Sequence, residues 1–289
     1  MRTDSSVAAL REGRAFVDLS EWRKVLAHGT EAEGWLNDLL TAELAGLTPG
    51  VARRSMLLSP TGRIRAAVTV ARLEEGFLLV QDPRQPAGID ELLGPYVLSS
   101  DVRLDDRSHG LALLAFPGGA EPPAVDGAQV YRPSSLGDGS DLVLPREARE
   151  GARTRMELVE AGPEAVEAWR IERGVARYGV DLGEDSLPHE AEVGPSIAYD
   201  KGCFLGQEAV AKVRNLGRPP YLVLAARSQQ PVSAGEPVLS DGAEAGRVTS
   251  AVETDEGSAL IVRVRWDARN AGLRTASGGP LREMRSATG

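Results

Sequence analysis

The stretch DKGCFLGQE, residues 200–208, holds the one cysteine of the chain, Cys203. Gly202 and Gly206 lie on either side of this cysteine, and Lys201 precedes it by two positions. Glycine permits tight backbone conformations that expose a neighbouring side chain, and the pKa of a thiol falls near a cation or a helix N-terminus. Two interpretations stay open: a reactive thiol, or a buried and inert cysteine, which is the common state of unpaired cysteines.

The composition is that of a globular protein with an acidic surface. The 289 residues carry a net charge of −9, and 42% are hydrophobic. Direct nucleic-acid binding is not expected, because such binders show basic surfaces. No apolar run reaches the roughly 18 residues of a membrane helix, the N-terminus lacks a signal-peptide core, and one cysteine forms no internal disulfide. We expect a cytoplasmic protein without a membrane segment, and we expect a monomer.

Several kinds of site find no support in the pattern of residues. The histidines, at positions 28, 109 and 189, are scattered, and no cluster has metal-ligand spacing. The glycine-rich stretches GDGSD and PGGAEPP lack the strand, loop and helix context of a phosphate-binding motif. No histidine pair can be assigned to Cys203 as a hydrolase dyad. We therefore expect no intrinsic metal and no bound nucleotide phosphate.

The periodicity of apolar residues predicts an α+β chain. A strand region is expected at Val17–Leu26, and Thr30 with Glu33 fits a capping box at the start of a helix. Residues 64–70 alternate between apolar and other side chains, as in a strand with one buried face. Residues 117–140 are rich in Gly, Pro and Ser, which predicts surface loops around a short strand at 129–131.

The second half predicts two further helices and a terminal β-structure. One helix is expected from Pro163 to a stop at Gly179, and another at 206–217. After the RPP boundary at 218–220, short alternating strands with glycine-containing turns predict a small β-barrel or sandwich.

Glu172 stands out on the first of these helices. It falls in a stripe with Ala165, Ala168 and Ala176, so its side chain is predicted on the buried face. A buried carboxylate is costly unless it is paired or bound. It could form a structural ion pair with a neighbouring arginine, or it could anchor a ligand by accepting paired hydrogen bonds from an aminopyrimidine ring.

Two of the four tryptophans, Trp22 and Trp169, are candidates for stacking on a flat heterocycle. Core packing is the more common role of tryptophan, since the residue usually buries most of its surface.

The segment KGCFLGQE resembles the K-G-C-[YF]-x-G-Q-E signature of the YgfZ family, folate-binding proteins related to the glycine-cleavage T-protein. LLSPTGRI, RIERGVARYGVDLGEDSLPHEA and the GRVTSA…GSALIVRVRW region are similar to other parts of that family, in the same order. The resemblance implies a body of two intertwined α/β parts around a central folate-sized opening, followed by an antiparallel β-barrel. We expect the first part at 1–48 with 145–217, the second at 49–144 and the barrel at 218–289.

The resemblance also implies site residues and a ligand, tetrahydrofolate or a folate derivative. Glu172 matches the folate-binding glutamate of the T-protein, and Trp22 and Trp169 match ligand-lining tryptophans. Cys203 matches the cysteine on which the family's function depends, and we take it with Lys201 as the candidate catalytic pair. The rest of the signature loop is Gly202, Gly206, Gln207 and Glu208.

The sequence departs from the true aminomethyltransferases at one place. Where the resemblance implies an acidic pair after the SPTGRI turn, this chain has Ala66 and Ala67. Alanine cannot act as an acid or a base. The resemblance is therefore better to the branch that supports assembly, maintenance or repair of iron–sulfur enzymes, including tRNA methylthiolation, with those enzymes or their assembly proteins as partners.

Two alternatives remain beside that reading. The chain could be a tetrahydrofolate-dependent aminomethyltransferase or demethylase, as its T-protein-like body and Glu172 suggest. It could also be a plain binding module that uses a folate pocket as a sensor, in which case Cys203 would have no effect in cells.

Overall fold

The computed structural model describes residues 2–98, 100–191, 196–277 and 279–288. The α-helices are α1 Arg2–Arg11, α2 Ala32–Leu39, α3 Ile89–Leu93, α4 Arg149–Thr154, α5 Pro163–Arg173 and α6 Gln207–Leu216. The strands of the first half are β1 Ala15–Asp18, β2 Arg23–His28, β3 Ala52–Leu58, β4 Ile64–Arg72, β5 Phe77–Gln81, β6 Arg103–Asp106, β7 Leu111–Phe116 and β8 Gln129–Tyr131. The remaining strands are β9 Ser140–Pro145, β10 Val159–Glu160, β11 Tyr221–Ser228, β12 Pro237–Ser240, β13 Ala243–Thr254, β14 Gly257–Arg265, β15 Arg274–Thr275 and β16 Arg282–Ser286.

The chain forms two compact units, each built from separate segments of sequence. Unit one comprises Met1–Leu58, Arg65–Val166 and Pro195–Leu205. Unit two comprises Ser59–Ile64, Glu167–Gly194 and Gly206–Gly289. The expectation that helices and strands mix along the chain is confirmed, whereas the three-part division with its boundaries stays a prediction.

Unit one contains two five-stranded sheets, with strand orders β10-β1-β7-β9-β8 and β3-β4-β5-β2-β6. The buried apolar face predicted for β4 is confirmed, since Ile64, Ala66, Val68 and Val70 are all at most 5% exposed, but Thr69 on the opposite face is buried as well. Ala66, Val68 and Val70, with residues of α2 and α3, form an apolar core of unit one against which Leu205 of the cysteine segment also packs. Burial of such a face supplies the main stabilisation of a sheet packed against helices.

Unit two contains a six-stranded sheet with the order β15-β12-β13-β14-β11-β16. The pairings recorded within it are antiparallel, but the predicted closed barrel is wrong: the sheet curls into a half-barrel. Strands β15 and β16 lie at the two edges of this sheet, and Arg274 of β15 also forms an isolated bridge with Pro280. Strand β15 has two residues, and the five residues of β16 are all exposed and include two arginines and a glutamate. Short or charged edges resist further strand pairing.

Two local predictions in the first half are corrected. The strand region at Val17–Leu26 divides into β1 and β2 with a turn between them. The capping box is absent, because α2 begins after Glu31 and makes no side-chain cap bond there. The Thr30 hydroxyl instead donates to Asp101 at 2.6 Å.

Helix α5 is shorter than the sequence predicts. It ends at Arg173, and Gly174 follows with a φ of +71°. Glycine adopts this left-handed conformation without strain, which suits a helix stop. The predicted helix at 206–217 and the short strand at 129–131 are confirmed as α6 and β8.

Within the described ranges, no helix is long and apolar enough to cross a membrane. The same residues include no group of three or more His, Cys, Asp or Glu side chains that could hold a metal ion.

Candidate functional site

Lys201 fastens the cysteine loop, defined here as residues 196–205, to the end of α2 in unit one. Its Nζ donates hydrogen bonds to the carbonyl oxygens of Asn37 at 2.6 Å, Leu40 at 2.6 Å and Ala42 at 2.7 Å. Carbonyls at a helix C-terminus lack intrahelical donors. A lysine ammonium supplies three donors and a charge that matches the helix dipole. The lysine of the signature therefore caps α2.

Further hydrogen bonds join the cysteine loop to the same end of α2. The Ala198 amide donates to the Thr41 carbonyl at 2.9 Å, and the Leu205 amide donates to the Asp38 carbonyl at 3.0 Å. The Thr41 hydroxyl donates to the Ser196 carbonyl at 2.6 Å. The loop is thus held near both of its ends as well as at Lys201.

Cys203 is exposed on this anchored loop. Phe204 beside it is 6% exposed and carries the Lys201 ammonium 5.2 Å from its ring centroid. A Cβ added at Gly202 would meet no atom within 4 Å. The interpretation of Cys203 as a buried residue is therefore wrong, whereas its role as a reactive thiol stays a prediction.

The environment of Lys201 differs from that of a surface lysine. Burial lowers its pKa to about 8, although the carboxylates of Glu43 and Asp38 act to raise it. The ammonium is directed at the carbonyls after α2, so its clear role is structural. The catalytic role assigned to Lys201 from the sequence stays a prediction.

The end of the signature belongs to unit two and starts α6. Gly206 has a φ of +83°, which favours glycine, and Gln207 is the first helical residue. Glu208 is exposed in the first turn, where a carboxylate is favourable to the helix dipole. These residues form a helix start, and their contribution to a ligand site stays a prediction.

Trp22 lies in the turn between β1 and β2 of unit one and is partly exposed. Its amide donates to the Leu19 carbonyl at 2.8 Å, and its carbonyl accepts from Lys24 Nζ at 2.6 Å. These two bonds hold the backbone of this partly exposed residue. The role of Trp22 in stacking on a flat ligand stays a prediction.

Trp169 and Glu172 lie in the part of α5 that belongs to unit two. Trp169 is 2% exposed, and the Arg173 guanidinium lies 4.7 Å from its ring centroid. This tryptophan therefore packs in the interior and offers a ligand little surface. Glu172 is partly exposed rather than buried, because the helix ends one residue later and the alanine stripe does not continue as a helical face.

The buried carboxylate of this region is Asp181, which the sequence analysis did not select. Arg170 Nη1 donates to Asp181 Oδ2 at 2.8 Å, and Arg170 Nη2 donates to Ser250 Oγ at 2.8 Å. The second carboxylate oxygen accepts from the hydroxyls of Thr249 at 2.6 Å and Ser250 at 2.7 Å. Glu167, three residues before Arg170, also pairs with it. The i,i+3 spacing of Glu167 and Arg170 in the sequence indicates an ion pair on one face of the helix. Asp181 lies in a turn after the helix, so no local spacing identifies it as a partner of Arg170.

Ala66 and Ala67 occupy the place where the resemblance implies an acidic pair. Ala66 is fully buried in the apolar core of unit one. Ala67 is partly exposed, and the side chain of Gln85 binds both its amide at 3.0 Å and its carbonyl at 2.7 Å. Neither methyl group can exchange a proton, and a carboxylate at position 66 would be desolvated.

Comparisons with known proteins find similarity to aminomethyltransferases and to a putative transferase. Residues 2–122 match a family model described as the GCVT N-terminal domain. An aminomethyltransferase of Streptomyces coelicolor is 26% identical over 279 residues, covering 84% of this chain and 75% of the relative. An aminomethyltransferase of Herpetosiphon aurantiacus is 27% identical over 274 residues with the same two coverages. A putative chloroplastic transferase of Arabidopsis thaliana is 23% identical, covering 88% of this chain and 66% of the relative.

The fold resembles that of a solved aminomethyltransferase. The crystal structure of the glycine cleavage system aminomethyltransferase T from Bartonella henselae aligns with a TM-score of 0.81, covering 99% of this chain and 88% of that one. The two sequences are 21% identical, so this likeness concerns the fold. Together the findings show similarity to aminomethyltransferases, while the narrower resemblance to YgfZ proteins stays a prediction.

Proposed function

We propose that this chain is a tetrahydrofolate-binding accessory protein that supports the assembly, maintenance or repair of iron–sulfur enzymes, including those that methylthiolate tRNA. The observation that carries the proposal is the exposed Cys203 thiol on a loop that Lys201 clamps to α2. Loop residues fixed by a rigid scaffold are typical of functional sites. A thiol that served only packing would not need this exposure.

The alanine pair argues against aminomethyl transfer by the mechanism of the T-protein. General acid–base catalysis needs a titratable side chain within hydrogen-bond reach of the reacting atom. At Ala66 and Ala67 that group is missing, and the amide of Gln85 occupies the polar positions around Ala67. A neutral amide orients groups but does not take up a proton at physiological pH.

Two predicted ligand residues, one in each unit, individually have the exposure that a contact with folate requires. Trp22 is partly exposed and can stack on a pteridine ring. Glu172 is partly exposed and can accept paired hydrogen bonds from an aminopyrimidine edge. Trp169 does not fit, because it is 2% exposed beneath Arg173. Tetrahydrofolate, when bound, supplies an acceptor for one-carbon units.

Cys203 contacts a partner protein and does not hold an iron–sulfur cluster within this chain. Iron–sulfur clusters normally take about four protein ligands, and the chain has one cysteine. An exposed thiol can approach a cluster or a thiol of another protein. The net charge of −9 disfavours binding to nucleic acid, so the expected partners are proteins.

The test is complementation of a deletion strain with the wild-type chain, Cys203→Ala and Cys203→Ser. Activities of a [4Fe-4S] methylthiotransferase and of aconitase are measured, and circular dichroism establishes that the purified variants fold. We expect the wild type to restore both activities and both variants to lose most of that effect. Full restoration by the two variants would remove the proposed role of the thiol, and failure of the wild type would place the protein in another pathway.

A second candidate function is a tetrahydrofolate-dependent aminomethyltransferase or demethylase. The aminomethyltransferase relatives that span most of the chain favour it. Incubation with tetrahydrofolate and an aminomethyl thioether donor, whose carbon is already at the oxidation level of formaldehyde, would give methylene-tetrahydrofolate with release of ammonia and the free thiol if this candidate is right. No product above the level of a heat-inactivated control would reject it for that donor.

A further inference from the structure

The turn between β1 and β2 is held by a buried lysine. Lys24 is 0% exposed, and its Nζ donates to the carbonyl oxygens of Ser20 at 2.8 Å and Trp22 at 2.6 Å. Arg146 adds a second donor to the Ser20 carbonyl at 3.3 Å. Two cations thus converge on the backbone of a turn that carries one partly exposed tryptophan.

The other side of the turn is fixed as firmly. The Asp18 carboxylate accepts from the Ser20 amide at 2.9 Å and from Arg149 Nε at 2.7 Å. The Ser20 hydroxyl accepts from the amide of Leu113 on β7 at 3.2 Å. These bonds leave the backbone before Trp22 with little freedom.

Burying the Lys24 ammonium costs stability. Desolvation and the nearby Arg146 guanidinium lower the pKa of Lys24 to about 8, against the opposing carboxylates of Glu21, Asp106 and Asp18. An apolar side chain of similar length would avoid that desolvation cost, but it would remove the Lys24 donor from the Ser20 and Trp22 carbonyls. A costly buried group that fastens one turn is expected where the turn must keep one conformation for a ligand.

We propose that Lys24 is a positioning residue that sets the Trp22 indole for stacking on a flat heterocyclic ligand. The inference rests on the proposed function, in which that heterocycle is the pteridine of tetrahydrofolate. Fixing the indole before binding removes an ordering cost from the binding step. Loss of the lysine therefore weakens binding although Lys24 does not touch the ligand.

The experiment compares Lys24→Met, Lys24→Gln, Trp22→Ala and the control Lys212→Met, which removes an exposed lysine from α6. Titration calorimetry gives the Kd for tetrahydrofolate. Fluorine NMR of 5-fluorotryptophan-labelled protein, with the Trp22 signal identified by Trp22→Phe, reports the conformation of the indole. Circular dichroism gives the folded fraction of each variant.

We expect Lys24→Met to raise Kd about tenfold and to shift or broaden the Trp22 signal. Lys24→Gln, which keeps one donor group, should lie between Lys24→Met and the wild type, and it decides the question if Lys24→Met does not fold. Lys212→Met should bind like the wild type. An unchanged Kd in folded Lys24 variants, with weakened binding in Trp22→Ala, would overturn this inference alone. An unchanged Kd in Trp22→Ala would instead reject Trp22 as a ligand residue and this inference with it.

Discussion

At Lys201 a single ammonium holds three carbonyl oxygens at the end of α2. Lys201→Met leaves these acceptors without their donor, so we expect the free energy of unfolding to fall by about 1–3 kcal/mol. The amides of Ala198 and Leu205, which bond to the same end of α2, should exchange with deuterated water faster. Urea denaturation and hydrogen exchange measure the two effects.

The matched control for this prediction is Lys212→Met, which removes an exposed lysine elsewhere. We expect it to change stability by less than about 0.5 kcal/mol. Lys201→Arg keeps the charge but not the compact three-donor geometry, so it should fall between the two. If Lys201→Met matched Lys212→Met in stability and in exchange, the clamp would have no energetic role.

Among the elements, α5, the turn that follows it and β13 are joined through Asp181. Arg170 and Asp181 are 4% and 2% exposed, so Asp181→Ala leaves a guanidinium in the interior with Glu167 as its remaining carboxylate partner. Breaking a buried pair on one side costs about 3–5 kcal/mol. We expect a loss toward the lower end of that range in denaturant unfolding, because Glu167 stays in place.

Asp185→Ala is the control for the Asp181 prediction. Asp185 also pairs with an arginine, Arg263, but its side chain is 66% exposed. Exposed ion pairs contribute about 0–1 kcal/mol. Equal losses in the two variants would show that burial does not distinguish these pairs.

The elements also show which features the sequence could predict. The alternation in β4 is a local pattern, and it predicted the buried face correctly because one sheet face meets the core. The capping box failed because the Thr30 hydroxyl bonds to Asp101, 71 residues away, which no local pattern encodes. The predicted burial of Glu172 failed because Gly174 ends the helix.

The candidate site divides in the same way. The signature motif directed attention to Cys203, and the structure shows this residue exposed. The partners of Lys201 lie about 160 positions away in sequence, so its capping role required the tertiary structure. The half-barrel in unit two differs from the predicted barrel because the edges of the sheet are formed by β15 and β16. These strands are short or charged, so their sequences do not indicate which strands they pair with.

For the molecule as a whole, the two buried lysines predict how stability depends on pH. The pKa of Lys24 and of Lys201 is about 8 in the folded protein, below the ordinary value of 10.5. Between these values the unfolded chain binds more protons than the folded one, so the free energy of unfolding rises with pH. Below pH 8 the folded state bears the cost of burying both charges. The pKa of Tyr131 is raised well above 10, so the titration of this residue lowers the free energy of unfolding only at higher pH. The effect of the two lysines is therefore best measured between pH 8 and 10.

Urea denaturation of the wild type and three variants across that window isolates the contribution of each lysine. Lys24→Met and Lys201→Met should each show a smaller rise of the unfolding free energy with pH than the wild type, because each removes one group that titrates differently in the two states. Lys212→Met removes an exposed lysine and should keep the slope of the wild type. Differences between variants cancel the contribution of every titrating group that they share. A Lys24→Met slope equal to that of the wild type would mean that Lys24 is not a charged, buried group in the folded protein, and the cost that motivates its positioning role would be absent.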